Sequence, residues 1–194
     1  STLSRFRSIM TKAKAYEPLF KEINRQLEAH SIIVKTGAII DASVIDTPLK
    51  PKGKTKHEVT EDREEEVKVE KSYPKSVDKD AAWLKKGGKF RFGYKKHHVT
   101  DQEGLVLGVL TTKASTNEIA NLEDVLDTAD LPEGIPLKAD KGYQSKNNGK
   151  ILEKRKLKNH MLKKAKKNQL LTHWEKKINK IMGKIRFKVE RTFG

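Results

Sequence analysis

Three carboxylates occupy positions where acidic residues need a reason. Asp41 interrupts the apolar stretch Gly37-Ala38-Ile39-Ile40-Asp41-Ala42-Ser43, and Asp140 ends the run Leu137-Lys138-Ala139-Asp140. Glu190 follows Val189 at the edge of an apolar helical stripe, with Arg186 four residues earlier. Burying a carboxylate is costly unless a counter-charge or a metal compensates it. Singly, each has a plain structural explanation: a turn aspartate, a helix-start aspartate, or an i, i+4 ion pair of about a few tenths of a kcal/mol. Together they suggest a shared task, cation binding. Carboxylate oxygens are hard ligands suited to Mg²⁺ or Mn²⁺. Two such ions roughly 3.5–4 Å apart activate an oxygen nucleophile and stabilise the leaving oxygen of an in-line displacement.

The substrate class follows from charge. The chain has 194 residues, with 42 Lys and Arg against 26 Asp and Glu, a formal net charge of +16. From Lys150 onward, 16 basic residues face only Glu153, Glu175 and Glu190. Lys163, Lys164, Lys166 and Lys167 lie in that segment, ahead of Lys176-Lys177 and with apolar residues between the blocks. That spacing suits a folded basic face along phosphates, with a merely soluble lysine-rich surface as the alternative. DNA and RNA are not separated by charge alone. Between Glu58 and Glu70 the bias reverses, with seven acidic residues against Arg63 and Lys68, flanked by Pro48, Pro51, Gly53 and Pro74. This reads as a charged, mobile insert at 47–80, either simply solvated or competing with nucleic acid for the basic face.

Other chemistries are excluded. With no cysteine there is no disulfide framework, zinc-thiolate site or thiol nucleophile. Neither a phosphate-binding glycine loop nor a Gly-x-Ser-x-Gly elbow occurs. His97 and His98 alternate across a strand, and the other histidines lack ligand spacing. No apolar run approaches the ~20 residues of a membrane span, and no leader is visible, so a cytoplasmic, nucleoid-associated protein is expected.

The positioning elements follow from periodicity. Leu3, Phe6, Ile9 and Met10 predict one helix, and Leu19, Phe20, Ile23 and Leu27 a second opening at Pro18. Residues 31–34 and 38–45 predict buried strand. Phe90–Thr100 and Leu105–Thr111 predict a hairpin around a turn at 101–104. Ser115 and Glu118 have capping-box spacing ahead of a helix carrying Ile119, Leu122, Val125 and Leu126. A short strand at 135–139, a helix at 151–156 and a strand at 159–163 come next. Trp174, Ile178, Ile181, Ile185 and Val189 then mark a final amphipathic helix, with Gly183 predicting a bend or close packing. The order predicts an α/β fold: a mixed sheet flanked by helices. Residues 1–30 form a helical pair ahead of a core over 31–194, with the charged insert after the first strand.

The blocks around the three acids carry a resemblance. Gly37–Ser43 resembles the first-aspartate strand of the insertion-sequence-five family of DDE transposases, and Asp140-Lys141-Gly142-Tyr143 resembles its second block. Arg186–Gly194 resembles the third block, with arginine four residues before the glutamate. Asp78–Trp83 also resembles the family, as does the stretch from Lys85 to Lys95, notably Gly87-Gly88 and Phe92-Gly93-Tyr94-Lys95. The resemblance implies an RNase H-like fold and a catalytic triad of Asp41, Asp140 and Glu190. It also implies two divalent ions, Mg²⁺ or Mn²⁺, and cleavage and strand transfer of double-stranded DNA by a homodimer. In that scheme Asp41 bridges the two ions while Asp140 and Glu190 each hold one.

The resemblance also implies the order of events. Water attacks a phosphodiester at the transposon end and frees a 3′-hydroxyl, which then attacks target DNA. Two other readings stay open: an RNase H-like nuclease without strand transfer, and an inactive remnant acting as a basic DNA-binding module. Ser1 stands in place of Met, and Gly194 falls four residues after Glu190, where the family carries a lysine at seven. Gly183 replaces a tyrosine found in related families. A piece of a longer transposase is therefore expected. Lys141 and Tyr143 are expected to meet phosphate and base or sugar. Gly142 serves either a positive-φ turn or a close backbone approach. Arg186 clamps a phosphate or orients Glu190, and Arg191 adds to the DNA-binding set. Trp83 stacks on an unpaired base or anchors the insert.

Overall fold

The computed structural model describes residues 1–51, 76–165 and 170–193, with the side chains of 184–193 outside the description. Most of the expected charged insert, and Lys166 and Lys167, therefore lie outside the described residues. The elements are α1 (Thr2–Lys12), α2 (Tyr16–Ala29), β1 (Ala38–Asp46), β2 (Ala82–Lys86), β3 (Lys89–Thr100), β4 (Val106–Lys113), α3 (Leu122–Asp127), β5 (Pro136–Ala139), α4 (Lys146–Lys154), β6 (Lys158–Asn159) and α5 (His173–Phe193). Two 3₁₀ turns, Glu118–Asn121 and Lys141–Tyr143, precede α3 and α4.

Six strands form one mixed sheet in the order β2-β3-β1-β5-β6, with β4 also paired to β3. β1 and β5 are parallel, as are β5 and β6, whereas β2 and β3 are antiparallel. This mixed α/β architecture is compatible with an RNase H-like fold.

The chain divides into two compact units. The first comprises residues 1–41, 97–110 and 118–194, and the second residues 42–96 and 111–117. The first unit holds the principal apolar core. Ala38 and Ile40 of β1, Val99 of β3, Leu137 and Ala139 of β5, Leu122, Val125 and Leu126 of α3, and Leu152 of α4 all contribute to it. Leu27 of α2 packs against that core, and the Asn24 side chain donates to the Val106 and Leu107 carbonyls at 3.1 and 3.3 Å. α1 buries none of its residues.

In the second unit, Gly87 (φ 59°) and Gly88 (φ 77°) form the two-residue link between β2 and β3. Positive φ at both positions is the type I′ geometry, whose twist matches that of the flanking strands. Trp83 lies opposite Phe92, with ring centroids 5.1 Å apart. Gly93 is required by close approach, because a Cβ there would drive into the Ile45 carbonyl oxygen. Gly93→Ala is expected to cost about 2 kcal/mol through overpacking, measured by urea unfolding.

The Tyr94 hydroxyl donates to both carboxylate oxygens of Asp78, at 2.7 and 2.8 Å. This hydrogen bond holds Asp78 below its ordinary pKa and pushes Tyr94 up to about 12. The Tyr94 contribution to stability is complete below the unfolded tyrosine value of about 10 and is lost as pH rises through about 12. The Asp78 contribution is present above the unfolded carboxylate value and is lost as pH falls through the lowered one. Tyr94→Phe is expected to remove the alkaline step from a plot of melting temperature against pH.

Several local expectations change. Residues 31–34 form no strand: Ser31 turns with φ 56°, although Ile33 is buried. α2 begins two residues before Pro18, which the first turn accommodates because its N–H groups have no helical partner there. Ser115 is not the cap of α3, which starts at Leu122 after the 3₁₀ turn with Asn121 at its N-cap. α4 starts at Lys146, earlier than expected, because Ser145 accepts the Asn148 N–H at 3.0 Å. β6 is short, but His160 and Leu162 continue donating to the Leu137 and Ala139 carbonyls at 2.9 and 3.0 Å. α5 runs through Gly183 without a break, and a Cβ there would meet nothing among the described residues.

Candidate active site

The two aspartates are brought together by strand register. β1 and β5 pair through Ala38 with Leu137, Ile39 with Lys138 and Ile40 with Ala139. One step further along both strands stand Asp41 and Asp140. Neighbouring strands lie about 4.8 Å apart, so the two residues are neighbours, Asp41 within β1 and Asp140 just past the last residue of β5. Both residues are partly exposed. The Asp140 carboxylate accepts the Lys141 N–H at 2.7 Å, which fixes the start of the 3₁₀ turn.

Alternation defines the face. Leu137 and Ala139 belong to the apolar core, so Lys138 and Asp140 turn to the opposite side of β5. By the same rule Ile39 and Asp41 oppose Ala38 and Ile40 on β1. Burial holds the Lys138 ammonium below the usual lysine range. Glu190 lies in the helical backbone of α5, as do Arg186 and Arg191, but their side chains are outside the description. Among the described residues, no group of three side chains that could hold a metal ion occurs.

Tyr143 does not face outward as expected. It is fully buried, and its hydroxyl lies 2.7 Å from His97 Nδ1. The Asn148 side chain donates to the Tyr143 carbonyl at 2.7 Å and to the Ile119 carbonyl at 3.0 Å. Tyr143 therefore secures the turn after Asp140 from inside the core and cannot stack on a base in this arrangement. Gly142 has no positive φ, so the turn does not require glycine; a Cβ there would lie 2.5 Å from Glu118 Oε2, the movable end of a side chain.

The basic residues divide by location. Lys141 is exposed beside Asp140. Asn179 of α5 holds Lys163 by its backbone, accepting its N–H at 2.9 Å and donating to its carbonyl at 3.0 Å. The Lys164 N–H donates to Gln144 Oε1 at 2.6 Å. These bonds leave both lysine side chains to other partners while fixing the chain that carries them. Trp83 is 43% exposed on β2. On α5, Trp174, Ile178 and Ile181 are exposed, so the first half of the expected apolar stripe is uncovered.

A family profile described as Transposase DDE domain matches residues 33–194. The chain belongs to this family. It is 34% identical over 192 residues to the transposase for insertion sequence element IS1106 of Neisseria meningitidis serogroup B. That alignment covers 98% of the chain and 64% of the relative. No solved structure matches significantly. Among the described residues of this DDE-domain chain, no helix is long and apolar enough to cross a membrane.

Lys138 and His97 are residues around the site that sequence reasoning misses. Lys138 has a visible signal, a cation within an apolar strand next to an aspartate. His97 has none, because its partner lies 46 residues away.

Proposed function

We propose that this chain is the catalytic portion of an insertion-sequence-five-type transposase, which cleaves and joins DNA through Asp41, Asp140 and Glu190. The observation that carries this reading is the adjacency of Asp41 and Asp140 in the β1–β5 register. Two hard carboxylates at neighbouring positions, Asp41 within β1 and Asp140 just past the end of β5, fit a divalent cation such as Mg²⁺ or Mn²⁺. Asp41, Asp140 and Glu190 would hold two such ions, which supply nucleophile activation and charge stabilisation when bound.

The chain's own residues do the rest. Lys141, Lys163 and Lys164 bind backbone phosphates and orient the duplex at the carboxylate face. Lys166, Lys167 and Arg191 extend the basic track, Arg186 orients Glu190, and Trp83 meets DNA at the β2–β3 hairpin. Water attacks the phosphorus at the transposon end; a new P–O bond forms, the P–O3′ bond breaks, and a 3′-hydroxyl leaves. That hydroxyl attacks a target phosphodiester, joining the strands and freeing a target 3′-hydroxyl. Two ends require two active sites, which supports a homodimer acting on double-stranded DNA in the cytoplasm.

The test is incubation with DNA bearing the element's ends and Mg²⁺ or Mn²⁺, followed by analysis for cleaved and joined products. Both products are expected. Cleavage without joining would favour a nuclease, and metal-independent binding without cleavage would favour a DNA-binding remnant.

A further inference from the structure

Two lysines among the described residues are buried, Lys95 and Lys138, each 6% exposed. Their surroundings differ. Lys95 Nζ donates to the Thr116 carbonyl at 2.8 Å. The Lys138 ammonium makes no hydrogen bond or ion pair among the described residues. A covered lysine whose ammonium has no partner among the described residues is costly, and a hydrophobic side chain of similar volume would fill the place at lower cost. An anion that arrives from outside would supply the missing partner.

The position of Lys138 identifies that anion. It lies two residues before Asp140 on the same strand face, beside Ile39, which lies two residues before Asp41. A phosphodiester approaching Asp41 and Asp140 meets two negative groups, so a fixed cation on that face offsets repulsion. Lysine suits this duty, because its stem can stay covered while its ammonium reaches toward a polar edge.

We infer that Lys138 contacts a non-bridging phosphate oxygen of the DNA strand that lies against Asp41 and Asp140. The inference rests on the active-site reading above, but its test does not need cleavage. Wild type, Lys138→Met and Lys138→Arg are titrated into a short fluorescein-labelled duplex in EDTA over a range of KCl concentrations. One lost phosphate contact lowers the slope of log affinity against log salt by about 0.9. Lys138→Met is expected to show that change with weaker binding at every salt concentration, and a melting temperature equal to or above that of wild type. Lys138→Arg is expected to recover the slope.

An unchanged slope in Lys138→Met would overturn the inference. So would a fall in its melting temperature, which would mean that the ammonium has a partner inside the protein. Cleavage of end DNA by the wild type, assayed separately with Mn²⁺, judges the transposase reading alone. Failure there with a changed slope would remove the catalytic role and leave the phosphate contact standing.

Discussion

Asp41→Ala and Asp140→Ala are each expected to lower cleavage of end DNA by about 10³-fold or more while the protein stays folded and still binds duplex. The size follows from losing several kcal/mol of transition-state stabilisation, at about 1.4 kcal/mol per decade of rate. Retention of the fold follows from position. Both residues are partly exposed and stand outside the apolar core that Ala38, Ile40, Leu137 and Ala139 help to build. Asp140→Ala also loses the bond to the Lys141 N–H, a cap worth about 1 kcal/mol, so a small fall in its melting temperature is expected. Cleavage rate, anisotropy with labelled duplex and thermal melting separate these effects. Wild-type cleavage by either variant would remove that residue from the catalytic set.

Tyr143 carries the largest expected stability effect. Tyr143→Ala empties a fully buried aromatic site and is expected to cost about 3–5 kcal/mol. Tyr143→Phe keeps the ring but removes the hydroxyl 2.7 Å from His97 Nδ1. Taking away a partner of a buried polar group costs about 1–3 kcal/mol, so urea unfolding should rank wild type above phenylalanine and phenylalanine above alanine. If Tyr143→Ala instead unfolds like wild type and loses only DNA affinity, the base-stacking role expected from its place beside Asp140 is the correct one.

Strand-borne acids are legible because they break an apolar pattern. Asp41 and Asp140 stand out as carboxylates in β-branched or apolar runs, and their adjacency needs only the β1–β5 register. Tyr143 is misleading because its neighbours in sequence, Asp140 and Lys141, point to a functional loop, whereas its partners His97 and Asn148 come from other elements. β2 escapes because Ala82-Trp83-Leu84-Lys85-Lys86 has no clear alternation; its pairing with β3 across Gly87-Gly88 defines it. Ser145 is hidden as a cap because the apolar residues that signal the helix, Ile151 and Leu152, come several positions after its start. Periodicity thus locates the elements and the buried face of the central strands, but it places element ends poorly, since ends depend on single hydrogen bonds. The apolar stripes of α1 and the first half of α5 are exposed.

The proposed cation site is tested most directly by iron-mediated cleavage of the polypeptide. Fe²⁺ substituted for Mg²⁺ in the presence of ascorbate and peroxide generates radicals that cut the backbone beside the bound ion, and mass spectrometry locates the breaks. Breaks near residues 41, 140 and 190 are expected, suppressed by excess Mg²⁺ and absent from Asp41→Asn. Breaks elsewhere, or an unchanged pattern in Asp41→Asn, would contradict a shared metal site at these three acids.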